Sequence, residues 1–288
     1  MGFTTRIRRA VKELLGLPQW EVTPKITEFE DQLYEALIRE GDHVFDVGAN
    51  EGDLSALFAC LAGASGRVYA FEPVWPVYEQ LCRKVELLKP PAASVIPVPN
   101  GFAEEDRVAT LQVPSNKFSR ASLAPANAWK HAQNMSQIQS FECSLIALDT
   151  FIFRTGARVP DFIKVDVEGA ELLVLRGASA FFASGHRPAM LIEIFAPWEK
   201  AFGYRPWEVL SLLAGLGYEC LFVCPCGLVE HTPTPERPFP TEYINGYNVL
   251  AVMPSAQADR IMRLSPLYAG AGGKILPMTP PPVLNIIE

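Results

Sequence analysis

Short apolar runs recur along the chain, each followed by a small-residue turn and then by a stretch with helical spacing. The run Val44-Phe45-Asp46-Val47-Gly48 is the clearest, and Asp53 opens an apolar helical segment just after it. The pattern predicts strands over 44–48, 68–72, 94–98, 162–166, 189–195, 218–223 and 247–252. Helices are expected near 54–62, 76–88, 170–183 and 206–215. Ahead of the first strand, Thr27-Glu28-Phe29-Glu30 has the form of a capping box. Phe29, Leu33, Ala36 and Leu37 supply an apolar helix face, and Gly41 a stop. Strands alternating with helices argue for a parallel α/β sheet. The last two strands are joined by a Pro-rich stretch without a helical pattern, so an antiparallel pairing is expected at that edge. Two regions break the rhythm. Residues 113–140 form a polar insertion flanked by strand patterns at 108–112 and 142–148, and residues 256–288 read as an extended Pro/Gly-rich tail.

The strand ends carry the chemistry. In a doubly wound sheet, ligands bind at the carboxyl ends of the strands. Asp46-Val47-Gly48-Ala49-Asn50-Glu51-Gly52 closes the first strand, and Phe71-Glu72-Pro73 closes the second. A carboxylate at Glu72 suits the paired hydroxyls of a ribose, which implies a nucleoside-like cofactor. The dinucleotide fingerprint G-x-G-x-x-G is not met, because its three places hold Gly48, Asn50 and Asp53. An acid at the third place opposes a diphosphate at the helix N-terminus. Acidic walls suit a cation, and S-adenosyl-L-methionine carries a sulfonium and an ammonium beside its adenosine.

A second acidic cluster follows at Asp161-Phe162-Ile163-Lys164-Val165-Asp166-Val167-Glu168-Gly169-Ala170-Glu171. Glu171 and Glu168 complement the positive end of the helix that follows. That does not account for Asp166 on the strand side of the turn, or for the matching Glu193 in Leu191-Ile192-Glu193-Ile194. Acids converging at strand ends point to a functional site.

Composition narrows the class. The 288 residues are 49% hydrophobic, which argues against disorder, and the formal charge of −7 gives no general attraction to nucleic acid. Residues 1–26 form a basic amphipathic lead, with Arg6, Arg8, Arg9 and Lys12 around Ile7, Val11, Leu14 and Leu15. They lack the apolar core of a secretory signal, and Arg6 breaks the myristoylation pattern. No apolar run approaches a membrane span, so no stable membrane insertion is expected and the cytoplasm is the default location. Cysteines are too sparse for a disulfide scaffold. Cys220, Cys224, Cys226 and His231 do not have common zinc spacing, so buried thiols are the better reading.

Taken in order, these motifs, with Leu148-Asp149-Thr150-Phe151, Val174-Leu175-Arg176-Gly177 and Tyr247-Asn248-Val249-Leu250, resemble the FkbM family of S-adenosylmethionine-dependent methyltransferases over residues 28–253. Members often carry N-x-x-L-N after the Glu-Pro pair, whereas this chain has Arg83-Lys84-Val85-Glu86-Leu87-Leu88. The resemblance implies a Rossmann-like class I methyltransferase fold. That means a seven-stranded, mostly parallel sheet with one antiparallel strand and helices on both faces, in a domain spanning 27–255. It also implies methyl transfer to oxygen.

On this reading Asp46, Gly48, Asn50 and Gly52 serve the methionine end of the cofactor and Glu72 its ribose. Asn100, Gly101 and Phe102 follow the third strand at the adenine edge, where Phe102 either covers the base or simply packs. An alcohol acceptor must lose its proton, so Asp166, Glu168 and Glu193 are candidates for general base, substrate binding or a Mg²⁺ site. His131 in the insertion is the histidine candidate. Ser119 and Ser122 are expected on the acceptor-side wall. Trp198, Tyr204 and Trp207 form either an aromatic platform for a sugar or ordinary helix packing. The acceptor is expected to be a small molecule or carbohydrate, and a homo-oligomer is left open. A nicotinamide-dependent oxidoreductase and a non-catalytic cofactor-binding homologue are the alternatives.

Overall fold

The central strands form because their residues are apolar on both sides, as parallel strands covered on two faces must be. The computed structural model describes residues 28–114, 118–124, 138–224, 227–240 and 247–268. In chain order, α1 (Glu28–Leu37) leads to β1 (His43–Val47), α2 (Asp53–Ala62), β2 (Arg67–Phe71), α3 (Trp75–Val85) and β3 (Ser94–Val98). Next come β4 (Asn100–Phe102), β5 (Arg107–Pro114), a 3₁₀ turn at Phe118–Arg120 and β6 (Ile138–Ile146). They are followed by α4 (Leu148–Thr155), β7 (Phe162–Val165), α5 (Glu171–Arg176), α6 (Ser179–Ala183) and β8 (Ala189–Ile194). The last described elements are α7 (Ala196–Ala201), α8 (Pro206–Gly215), β9 (Glu219–Cys224), β10 (Gly227–Glu230), β11 (Tyr247–Val252) and α9 (Pro254–Leu264).

The main sheet has the order β10-β9-β11-β8-β7-β1-β2-β3. β3, β2, β1, β7 and β8 run parallel, and β11 inserts antiparallel between β8 and β9. The expected antiparallel edge is therefore present. The sheet has eight strands, not seven, because β10 folds back antiparallel on β9. Alternate residues of each strand feed opposite layers. Phe45 and Val47 join Phe151, Leu172 and Leu213 under α4, α5 and α8. Val44 joins Leu33, Leu37 and Phe58 under α1 and α2. Helices thus cover both faces.

Three details differ from the sequence reading. The helix expected over 170–183 divides into α5 and α6, because the Asp149 carboxylate accepts the Ala180 and Phe181 amides at 2.7 and 2.8 Å and starts a new helix. The strands flanking the insertion are β5 and β6, which pair with each other and with β4 in a separate three-stranded sheet, β4-β6-β5. Residues 254–264 are helical where an extended tail is expected. Pro254 stands in the first turn of α9, where its missing N–H costs nothing, and α9 packs on α1. Thr27 of the capping box lies outside the described residues, as do residues 1–26 and 269–288.

Candidate functional site

Period-two alternation decides which side chains meet. Val44 and Phe162 point to the α1/α2 face of the sheet, so Asp46 and Lys164, two residues on and paired in register across β1 and β7, point there too. Ala70 extends to Glu72 on that face, Leu191 to Glu193, and Leu250 back to Asn248, which pairs with Glu193 in register. The carboxyl edge therefore carries one row of polar groups along one face. Above that row opens a cleft of about 920 Å³, near the top of the ~300–1,000 Å³ usual for small-molecule and cofactor sites.

Glu72 lines the cleft yet is only 7% exposed. Its Oε1 accepts the Val74 amide at 2.8 Å and its Oε2 the Asn50 amide at 3.0 Å. Burial still pushes its carboxyl up to about 7. Apolar groups surround this end: Pro73, Val74, Gly101, Phe102 and Leu145. Phe102 is a core residue, its ring 4.3 Å from that of Phe71, and it presents only part of itself to the cleft. Gly48 is in the left-handed region at φ 85°, and a Cβ there would lie 1.9 Å from the Asp166 carbonyl oxygen. Only glycine allows the two strand-end loops to approach so closely.

The turn is self-contained. The Gly48 and Ala49 amides both donate to the Phe71 carbonyl, Asn50 to Glu72, and Gly52 to the Ala49 carbonyl. Those four amides are thus engaged within the turn and are not offered to a diphosphate. Asp53 in fact pairs with Lys84 Nζ at 2.5 Å. Asp46 does not line the cleft: it is buried, accepts Ser55 Oγ at 2.5 Å, and is pushed up to about 6 by burial. Gly52 and Asn100 also lie off the cleft wall. Gly52 faces Leu81, and Asn100 donates to the Ser144 carbonyl at 3.4 Å.

At the centre, buried Lys164 donates to Asp166 Oδ2 at 3.1 Å. Its neighbouring carboxylates, Asp166 foremost, outweigh the penalty of burial and hold it charged. The Asp166 and Glu193 side chains are hydrogen-bonded, and the shared proton stays with Glu193. The Asp166 charge and burial push Glu193 well up, while Lys164 and the bond from Glu193 hold Asp166 down against its own burial. Glu168 lines the cleft in a left-handed backbone at φ 52°. Burial, followed by Asp166 and Glu171, pushes it up to about 8. Glu171 accepts the Val167 and Gly169 amides, a helix-start role. The donor set does not fit Mg²⁺: the Lys164 ammonium sits where a cation would, and among the described residues no three His, Cys, Asp or Glu side chains are arranged around a metal. Cys220 and Cys224 pack in the core, and Cys226 lies outside the described residues.

The insertion forms the opposite wall through Phe118, Ser119, Arg120, Ala121 and Leu123. Ser122 is buried and donates to the Glu168 carbonyl at 2.6 Å, so it anchors this wall to the acidic turn. His131 lies outside the described residues. Tyr204 is buried, with its hydroxyl donating to the Gly169 carbonyl at 2.6 Å, and neither it nor Trp207 reaches the cleft. That excludes the aromatic platform for those two. Sequence reasoning missed Glu30, Tyr34 and Asn248, which line the cleft beside Glu193.

A 3-2-1-7-8-11-9 strand order with one antiparallel member, and acids along its carboxyl edge, define a class I methyltransferase fold. Residues 46–220 match the model of the Methyltransferase FkbM domain, and the chain belongs to that family. The hexuronic acid methyltransferase AglP of Haloferax volcanii is 27% identical over 175 residues, which cover 61% of this chain and 62% of that relative's length. A crystal structure of an FkbM methyltransferase from Methylobacillus flagellatus aligns with 85% of this chain and 59% of its own, at 17% identity and a TM-score of 0.44. The O-methyltransferase of Bacillus cereus in complex with SAH aligns with 86% of this chain and 90% of its own, at 12% identity and a TM-score of 0.43. No described helix is long and apolar enough to cross a membrane.

Proposed function

We propose that the protein transfers a methyl group from S-adenosyl-L-methionine to a hydroxyl of a carbohydrate or other small polar molecule. The observation that carries this is Glu72, a buried carboxylate facing a cleft whose glycine turn has engaged its own amides. Two Glu72 lone pairs remain for ribose hydroxyls beyond those taken by Val74 and Asn50. The apolar end at Pro73, Gly101 and Leu145 suits the adenine, and the Gly48–Asn50 turn beside Asp166 suits the cationic methionine end. The sugar named for the Haloferax relative supports a carbohydrate acceptor.

When bound, the cofactor supplies a sulfonium-activated methyl carbon, which passes to a nucleophilic oxygen as its bond to sulfur breaks and a neutral thioether is left. The protein's own part is to position the acceptor and take its proton. Glu168 is the carboxylate suited to that task, since its raised affinity matches the mild driving force a general base needs near neutral pH. Asp166 stays ionised and favours the cationic centre, while Lys164 holds Asp166 in place. Glu193 keeps its proton and donates to Asp166, which fixes both side chains.

Titration calorimetry with S-adenosylhomocysteine and with NAD tests the cofactor. Micromolar binding of the first and none of the second is expected, and the reverse order would overturn the assignment.

A further inference from the structure

We infer that Glu30, Tyr34 and Asn248 form the acceptor subsite, and that it recognises the acceptor through ring hydroxyls, as a polyhydroxyl sugar. This rests on the methyl-transfer reading above and adds the acceptor class to it.

The sheet fixes where the acceptor lies. Along the carboxyl edge the order is Glu72 past β2, Gly48 past β1, Asp166 past β7, Glu193 on β8 and Asn248 on β11. Strands are ~4.8 Å apart, so Asn248 stands roughly 19 Å along the edge from the ribose carboxylate. A cofactor anchored at Glu72 with its cationic end near Gly48 and Asp166 leaves the β8–β11 end of the cleft for the second reactant. α1 lies over that end, and its Glu30 and Tyr34 line the cleft with Asn248.

The polar groups are set for hydroxyls. Asn248 Nδ2 donates to Glu30 Oε1 at 3.0 Å, which fixes which way the amide faces. Its Oδ1 is buried and has no donor among the described residues. A hydroxyl of the ligand would supply one. Tyr34 is 2% exposed, and burial together with the carboxylates of Glu30, Asp46, Asp166 and Glu193 keeps its phenol protonated. It therefore offers a donor as well as an acceptor.

A ring hydroxyl can both give and receive here, whereas a carboxylate or phosphate can only receive.

The test uses the full chain and radiolabelled S-adenosylmethionine. The probes are the methyl glycosides of glucose, galactose, mannose, rhamnose, glucuronic acid and galacturonic acid. Transfer to at least one of these glycosides is expected. Asn248→Leu should raise KM for that glycoside at least tenfold. Tyr34→Phe, which keeps the ring packing, should raise it several-fold, and both variants should bind S-adenosylhomocysteine as the parent does. No glycoside accepted, or both variants leaving KM unchanged, would overturn the inference while normal S-adenosylhomocysteine binding preserved the reading beneath it. A parent chain that binds no S-adenosylhomocysteine would remove both.

Discussion

Lys164 Nζ lies 3.1 Å from Asp166 Oδ2, although the lysine is buried within β7 and the aspartate stands just past the strand end. Being two residues apart, they share a face, and the register places Asp46 beside Lys164 on β1. One buried cation thus serves Asp46, Asp166 and Glu193 together. Replacing it by an apolar residue of similar length leaves those acids without compensation. Lys164→Met is expected to cost about 3 kcal/mol, on the order of 10 °C in Tm, because removing one partner strands the other's charge. Urea denaturation measures the loss, and a variant as stable as the parent would show that the lysine is dispensable.

The proposed ribose role of Glu72 ties cofactor affinity to pH. In the ligand-free protein its carboxyl is pushed up to about 7 by burial, so at pH 6 it is mostly protonated and offers the ribose a poorer pair of acceptors. S-adenosylhomocysteine should therefore bind more tightly as pH rises from 6 to 8, with a proton released on binding near pH 7. Calorimetry in buffers of different ionisation enthalpy reads both quantities. Glu72→Gln should lose more than tenfold in affinity, since a charged hydrogen-bond partner is worth roughly 1.5–3 kcal/mol, and its affinity should no longer respond to pH. A pH-independent parent would refute the ribose role.

Much of this arrangement is readable in the chain because it is local. Asp46–Gly52, Phe71–Pro73 and Ile163–Glu171 each place an acid at the end of an apolar strand, and strand ends are where such sheets bind ligands. What those acids do is not local. Asp46 has the same sequence setting as Asp166, but Ser55, nine residues on in α2, draws it away from the cleft. Asp53 reads as a bare charge until the fold brings Lys84 to it from α3. Tyr204 sits among exposed-looking aromatics, yet its hydroxyl closes the loop at Gly169. Glu30 and Asn248 are 218 residues apart and meet only because β11 inserts beside β8. The strand β10 escaped notice because Gly227-Leu228-Val229-Glu230 is short and follows a Cys-Pro-Cys break. α9 escaped because the Pro and Gly composition of the segment after it outweighed its own helical spacing.

Glu168 should impose a rising pH limb on the rate. Its carboxyl is pushed up to about 8 by burial and by Asp166 and Glu171, and a general base acts only when ionised. Methyl transfer should therefore increase with pH and level off above about 8. Glu168→Gln should lower kcat by on the order of 10²–10⁴, the usual contribution of a positioned base, and abolish that limb. Affinity for S-adenosylhomocysteine should be unchanged, because the glutamine keeps the left-handed backbone and the Ser122 bond to the carbonyl. If the limb survives in the glutamine variant, the proton goes elsewhere.

Arg260 couples the last described helix to α1, which lines the proposed acceptor end of the cleft. Its guanidinium grips Asp42 in a bidentate pair, at 2.6 and 2.8 Å, and also donates to the Leu37 carbonyl at the end of α1. The two side chains are only 11% and 9% exposed, so solvent does little to screen them. Arg260→Ala is expected to cost about 3–5 kcal/mol, because Asp42 is left buried with its charge uncompensated. Asp42→Asn in the same chain should recover part of that loss, since the double variant no longer buries an unpaired charge, and a double-mutant cycle isolates the coupling. The functional effect should be selective. α1 carries Glu30 and Tyr34, whereas Glu72 and Gly48 stand past the far ends of β2 and β1, so loosening α1 should raise KM for the acceptor by more than it weakens S-adenosylhomocysteine binding. Equal losses at both ends of the cleft would show instead that α9 supports the whole sheet.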